Sequence, residues 1–183
     1  MMLIKNGYVI DPKSGLEGNY DILTEGDVIV KIAKEIEAPK KGCRVIDAEG
    51  LLVAPGLVDV HVHFREPGFT QKEDISTGAA AAARGGFTTV VLMANTKPTV
   101  DNVDTLEYVL EKGKRTGIHV LTCANVTMGM QGKELVPMEE LAGRGAAGFT
   151  DDGMPLLDEG LVRRASGSRP PASSATAPKR ANE

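Results

Sequence analysis

Leu57-Val58-Asp59-Val60-His61-Val62-His63-Phe64-Arg65-Glu66-Pro67-Gly68 is an apolar run that becomes a polar loop at a pair of histidines. Read as a β-strand, the run sends alternate side chains to opposite faces, so His61 and His63 point the same way. Their Cα atoms then lie roughly 6.6 Å apart, at about 3.3 Å per residue. Two imidazoles so placed can converge on one ion, and imidazole suits zinc and other first-row metals. A His-x-His pattern alone is weak, but at the polar end of an apolar strand, preceded by Asp59, it points to hydrolytic metal chemistry.

C-terminal to this stretch the chain alternates strand and helix. Ser76 to Arg84 is alanine-rich and stops at Gly85-Gly86, which predicts a short helix. Thr88 to Met93 is β-branched and apolar on both faces, a buried strand. Asp101 or Asn102 can cap a helix through about Arg115 that puts Leu106, Val109 and Leu110 on one side. Val120 to Val126 reads as a third strand, Pro137 to Leu141 as a short helix, and Ala146 to Thr150 as a fourth strand. Leu156 to Arg164 reads as the start of another helix. Buried strands alternating with helices predict parallel βαβ units. Four units are half of an eight-stranded (β/α) barrel, which takes about 250 residues.

N-terminal to residue 55 the rhythm is that of short strands and turns. Asn6-Gly7 is a hairpin signal between Leu3-Ile4-Lys5 and Tyr8-Val9-Ile10. Tyr20 to Leu23, Val28 to Ile32, Arg44 to Ala48 and Leu51 to Val53 complete a small antiparallel β-layer. The expected fold class is therefore α/β: a partial TIM-like (β/α) barrel preceded by that layer. Residues 1–54 form an incomplete sandwich-like domain, 55–164 the first half of the barrel, and 165–183 a disordered tail. From Ser166 to Glu183 the chain has no Val, Leu, Ile, Met or aromatic residue and cannot bury a face. The shift is abrupt enough to suggest a frame shift or truncated reading of the gene.

Composition excludes several function classes. Among 183 residues the net charge is -4 and Trp is absent, which argues against nucleic acid as partner. No apolar run approaches the ~20 residues of a membrane helix. The first residues lack a signal peptide's apolar core, so cytoplasm is the expected compartment. Cys43 and Cys123, far apart in sequence, read as buried small side chains rather than a disulfide.

Catalytic groups of parallel (β/α) barrels gather at the carboxyl ends of the strands. Here the strand ends carry His61 and His63, then Met93 to Thr96, then Asn125 to Thr127, then Thr150-Asp151-Asp152-Gly153. Asp152 or Asp151 supplies an oxygen ligand, the other capping the next turn; spacing leaves the choice open. A carboxylate there can bridge two ions about 3.5–4 Å apart. Arg65 offers a bidentate fork for a substrate carboxylate, and Asn95 a further hydrogen bond. His119 starts the third strand, at the wrong rim, and reads as structural.

Together these residues resemble the N-terminal part of a class I dihydroorotase, in the cyclic amidohydrolase superfamily. The likeness is carried by Asp59 to Gly68, Lys72 to Asp74 with Thr77 and Gly78, Ala82 to Val90, Met93 to Pro98, and Gly148 to Gly153, and it covers residues 1 to about 164. Ala94 departs from the proline usual in that family. The resemblance implies reversible closure of N-carbamoyl-L-aspartate to dihydroorotate in pyrimidine synthesis. It implies Zn2+, two ions per complete site, held by His61, His63 and the bridging Asp152. It implies that His63, Arg65 and Asn95 hold substrate, Arg65 and Asn95 on its carboxylate. It also implies further histidine ligands from the fifth and sixth strands and a general acid/base aspartate from the eighth. The chain has three histidines, none beyond Asp152, so the expectation is a polypeptide that is inactive alone and binds zinc weakly. A half barrel also leaves its fourth strand as an exposed apolar edge. Other readings are an allantoinase or dihydropyrimidinase, a non-catalytic scaffold for aspartate carbamoyltransferase, or a fragment without function.

Overall fold

A computed structural model describes residues 1–39 and 41–167. Contacts divide the chain into two units, Met1–Pro55 and a second beginning at Gly56.

The first unit is a five-stranded sheet of β1 (Met2–Asp11), β2 (Leu16–Glu25), β3 (Val28–Ala33), β4 (Arg44–Asp47) and β5 (Leu52–Val53). Its order is β3-β2-β1-β4, with β5 also on β1. It is mixed rather than antiparallel: β1 pairs antiparallel with β2 but parallel with β4 and β5. The segment after β3 carries the chain back so that β4 starts beside the start of β1, Met2 facing Arg44. Nor does Asn6-Gly7 make a hairpin. β1 runs straight through it, with a register shift between Ile4 and Gly7. Asn6 adopts φ 63°, which Asn tolerates better than most residues. Its amide donates to the buried Asp21 carboxylate at 2.9 Å, so a β-bulge replaces the turn. The other oxygen of Asp21 accepts from Ile36 N at 2.9 Å, and Lys5 Nζ lies 3.7 Å away. Leu3, Val9, Ile22, Ile36 and Ala48 form this unit's interior. Val28, Ile29, Val30 and Ile32 stay exposed on the edge strand β3.

The second unit is built on three parallel strands, β6 (Leu57–Val62), β7 (Phe87–Leu92) and β8 (His119–Thr122), in that order. Helix α1 (Ile75–Arg84) joins the first two, and α2 (Val103–Gly113) joins the second pair. Both helices start where capping chemistry allows. Asp74 accepts from Thr77 N at 2.8 Å in a capping box, and Asn102 accepts from Thr105 N at 3.0 Å. Arg84 lies in the last turn of α1 and Gly85 follows as its cap. Ile75, Ala79, Leu106 and Val109 face Val90, Leu92 and Val120 in one apolar core. Burying each of the larger side chains is worth about 1.5–3 kcal/mol.

The expected fourth strand is reduced to one parallel bridge, Ala124 to Phe149. Three backbone bonds still hold it beside the third strand's extension: Ala147 N to Thr122 O, Ala124 N to Gly148 O, and Thr150 N to Ala124 O, each 2.9 Å. The third strand is likewise shorter than predicted: Cys123 N still bonds Leu92 O, but Ala124 and Asn125 turn their amides to Gly148 O and Val100 O. Helices α3 (Met138–Gly143) and α4 (Glu159–Gly167) follow. Ala165, Ser166 and Gly167, assigned to the tail on composition, belong to α4. The rest of the predicted tail, 168–183, lies outside the described residues. No closed barrel exists among the described residues, and the exposed apolar surface extends to the other edge, where Leu57, Val58 and Val60 of β6 are uncovered. No described helix is long and apolar enough to cross a membrane. Cys123 is buried, which raises its thiol pKa, whereas Cys43 is half-exposed rather than buried as expected; both are free.

Candidate metal centre

β6 ends at Val62, so His61 projects from its last turn of pleat and His63 from the first loop residue. Asp59 accepts from the His61 amide at 3.0 Å and tightens that end. Across the strand ends, Asp152 follows the Thr150 amide that is pinned to Ala124. The three side chains meet. His61 Nε2 is 3.4 Å from Asp152 Oδ1, and His63 Nε2 is 3.4 Å from Asp152 Oδ2. One ligand atom from each lies within 4.8 Å of the other two, the one such group found among the described residues. Side-chain exposures of 56% for His61, 26% for His63 and 22% for Asp152 leave the cluster reachable from solvent.

The donor set fits a cation. Ligands about 2.1 Å from a tetrahedral ion sit roughly 3.4 Å from one another, matching the two 3.4 Å separations observed. A cation in that gap would accept lone pairs from both ring nitrogens and from the carboxylate.

The geometry separates Asp151 from Asp152. Asp151 is buried and turned toward the loop after β8. It accepts from Val126 N at 2.8 Å, from Thr127 N at 3.2 Å, and from the Thr127 hydroxyl. Asp152 alone faces the histidines. Asn95, in the loop after β7, touches two of the three ligands: its Oδ1 lies 3.0 Å from His63 Nδ1, and its Nδ2 donates to Asp152 Oδ2 at 2.9 Å. Arg65 is half-buried, and among the described residues its guanidinium makes no ion pair or hydrogen bond. Its φ of 63° is costly for a residue with a Cβ, and such strain gathers at functional sites. His119 is exposed at the start of β8, the end of the sheet away from the cluster.

Sequence reasoning missed the support beneath Arg65. Its neighbour Glu66 is only 3% exposed. Glu66 Oε2 accepts from Ile75 N at 2.9 Å, the first residue of α1, and Oε1 accepts from Tyr108 Oη at 2.7 Å and from Lys112 Nζ on α2. Burial works to raise its pKa, but the Ile75 amide, Lys112 and Tyr108 outweigh it and hold the carboxyl below its ordinary value. The available signal was Tyr108 and Lys112, four apart on one helix face.

Gly68 closes the same loop. It has φ 91°, and a Cβ there would lie 2.0 Å from the Lys97 carbonyl oxygen, while Lys97 N donates to Pro67 O at 3.0 Å. Gly68→Ala therefore separates the loops that carry Arg65 and Asn95. The expected result is a loss of roughly 2–4 kcal/mol in thermal or urea unfolding. A melting curve unchanged from wild type would contradict it.

Fold and ligand cluster together define an α/β protein with a candidate metal site at the carboxyl ends of parallel strands. Residues 50–168 match the family model described as dihydro-orotase-like, and the chain belongs to that family. It is 56% identical to a dihydroorotase of Clostridium acetobutylicum and 58% identical to one of Clostridioides difficile, each over 165 residues. These alignments take in 90% of this chain but 39% of each relative's length. Among solved structures, an L-hydantoinase (dihydropyrimidinase) from Arthrobacter aurescens shares the fold, with TM-score 0.72 and 24% identity over 88% of this chain and 36% of that one. A D-hydantoinase from a Thermus species aligns with TM-score 0.55 and 34% identity over 69% of this chain and 28% of that one.

Proposed function

We propose that this chain carries the first ligands and the carboxylate-binding residues of a zinc-dependent dihydroorotase, which reversibly hydrolyses the ring amide of dihydroorotate to N-carbamoyl-L-aspartate. The observation that carries the reading is the convergence of His61, His63 and Asp152, with an uncommitted Arg65 two residues beyond His63. In this reading β6, β7, β8 and residues 146–150 are the first four strands of a (β/α) barrel. Residues 1–54 belong to its accompanying β-domain.

His61, His63 and Asp152 would hold zinc, two ions in a complete site. Bound zinc supplies a Lewis acid for the amide carbonyl. The chain's own part is orientation. Arg65 grips the ring's carboxylate through two parallel N–H bonds, and Asn95 adds a third donor. That grip fixes where the reacting carbonyl sits relative to the ligands. A two-ion site needs more donors than these three, and no acid/base partner is assigned among the described residues. We therefore propose that the 183 residues by themselves bind zinc weakly and turn over no dihydroorotate. Three converging ligands have no use in a scaffold, so catalysis rather than docking to aspartate carbamoyltransferase is the reading advanced.

A chimera tests it: residues 1–164 of this chain joined to the remaining length of the Clostridium acetobutylicum relative. The expected product converts dihydroorotate and leaves hydantoin and dihydrouracil untouched. Preference for those uncarboxylated rings would transfer the chain to the hydantoinase reading. In the chimera, Arg65→Met removes two charge-assisted bonds of about 1.5 kcal/mol each, which predicts a rise of roughly a hundredfold in KM for dihydroorotate.

A further inference from the structure

We infer that Asn95 is a positioning residue of the metal centre: it selects which ring nitrogen of His63 faces the ligand cluster and holds Asp152 beside it. The inference rests on the metal-site reading above and gives Asn95 a task separate from binding substrate.

An ionised carboxylate only accepts. Asn95 must therefore present its NH2 to Asp152, where Nδ2 lies 2.9 Å from Oδ2. That choice turns Oδ1 toward His63 Nδ1, 3.0 Å away. A carbonyl oxygen cannot donate, so Nδ1 carries the hydrogen. In the neutral ring the lone pair then belongs to Nε2, the atom 3.4 Å from Asp152 Oδ2. One amide thus prepares the metal-facing nitrogen of one ligand and orients the carboxylate of another. Metal-bound histidines commonly give their second N–H to an oxygen partner that fixes the ring, and here the side-chain amide meets that need.

The amide itself stands on a fixed base. Met93 N donates to Val62 O at 2.9 Å, tying the loop to the end of β6. Thr96 Oγ1 donates to Pro98 O at 2.7 Å, and Val100 N to Ala94 O at 3.1 Å. These bonds fix the backbone on either side of Asn95.

The test uses the full 183-residue chain with Asn95→Ala and Asn95→Asp. Zinc affinity is read by competition with a chromophoric chelator, and Asn95→Ala is expected to weaken it about 10–100-fold. Ring tautomers are read on the metal-free protein by proton–nitrogen correlation at a pH where the rings are neutral; three histidines make the spectrum assignable. His63 is expected as the Nδ1–H form in wild type. Asn95→Asp, which keeps an acceptor, retains that form; Asn95→Ala gives a mixture. A wild-type zinc affinity in Asn95→Ala, or an unaltered Nδ1–H form in it, overturns the inference. If the wild-type chain itself takes up no zinc, the metal reading falls, and the ring spectra still decide whether Asn95 sets the tautomer.

Discussion

Asp152→Asn takes up zinc at least about a hundredfold more weakly than the wild-type chain. The bound comes from comparison: partners that only orient a ligand are worth 10–100-fold in affinity, and Asp152 is a ligand in the proposed centre. It is also the one anionic group in the cluster, its two oxygens each facing a different imidazole at 3.4 Å. Asparagine keeps the shape and loses the charge. Chelator competition at fixed pH measures the change. The paired control is Asp151→Asn, one residue away. Asp151 spends its carboxylate on two backbone amides and the Thr127 hydroxyl, so this variant should melt lower while its histidines and Asp152 remain as ligands. Equal zinc affinity in wild type and Asp152→Asn would place the ion elsewhere. A loss in Asp151→Asn matching that in Asp152→Asn would mean the fold around the site, not the ligand, sets the affinity.

That pair of aspartates also marks how far sequence reading reaches. The residue types, an apolar strand and a His-x-His end pointed to the neighbourhood of the candidate site, because period and capping are local. Helices α1 and α2 were legible for the same reason: α1 from its alanines and the Gly85-Gly86 stop, α2 from Asn102, which finds its partner three residues on. Local spacing left Asp151 and Asp152 open and the family resemblance implied Asp152; the loop at Val126 and Thr127, which the fold brings close, shows what occupies Asp151. Asn95 required more still, since its two partners come from different strand ends. The β-layer failed by the same rule. Asn6-Gly7 has the chemistry of a hairpin turn, but the Asp21 carboxylate captures the Asn6 amide, and a bulge in a continuous strand results. The parallel seating of β4 and β5 on β1 depends on where the chain returns after β3, which no local pattern records. The fourth strand was visible as composition, yet its amides are satisfied by three bonds rather than a full ladder.

Glu66→Ala should lower stability by about 2–4 kcal/mol, a fall of roughly 6–12 °C in melting temperature. The carboxylate joins the Arg65 loop to the first amide of α1 and to Tyr108 and Lys112 on α2. Truncation orphans the Ile75 amide at a buried helix start, a cost of about 1–3 kcal/mol, and removes hydrogen bonds to a charged acceptor. Lys112 is partly exposed and regains water, so its loss of a partner adds little. Glu66→Gln keeps an acceptor for Ile75 and forfeits the charge; it should show about half the effect and reports even if the alanine variant fails to fold. The pH dependence has a definite sign. The folded pKa of Glu66 lies below its ordinary value of 4.5, so the carboxylate's contribution is fully present above the unfolded value and is lost as pH falls through the folded one. The gap in melting temperature between wild type and Glu66→Gln should therefore be constant near neutral pH and shrink on acidification below about 4.5. A gap that is constant down to the acid transition would show that the charge of Glu66 contributes nothing to stability.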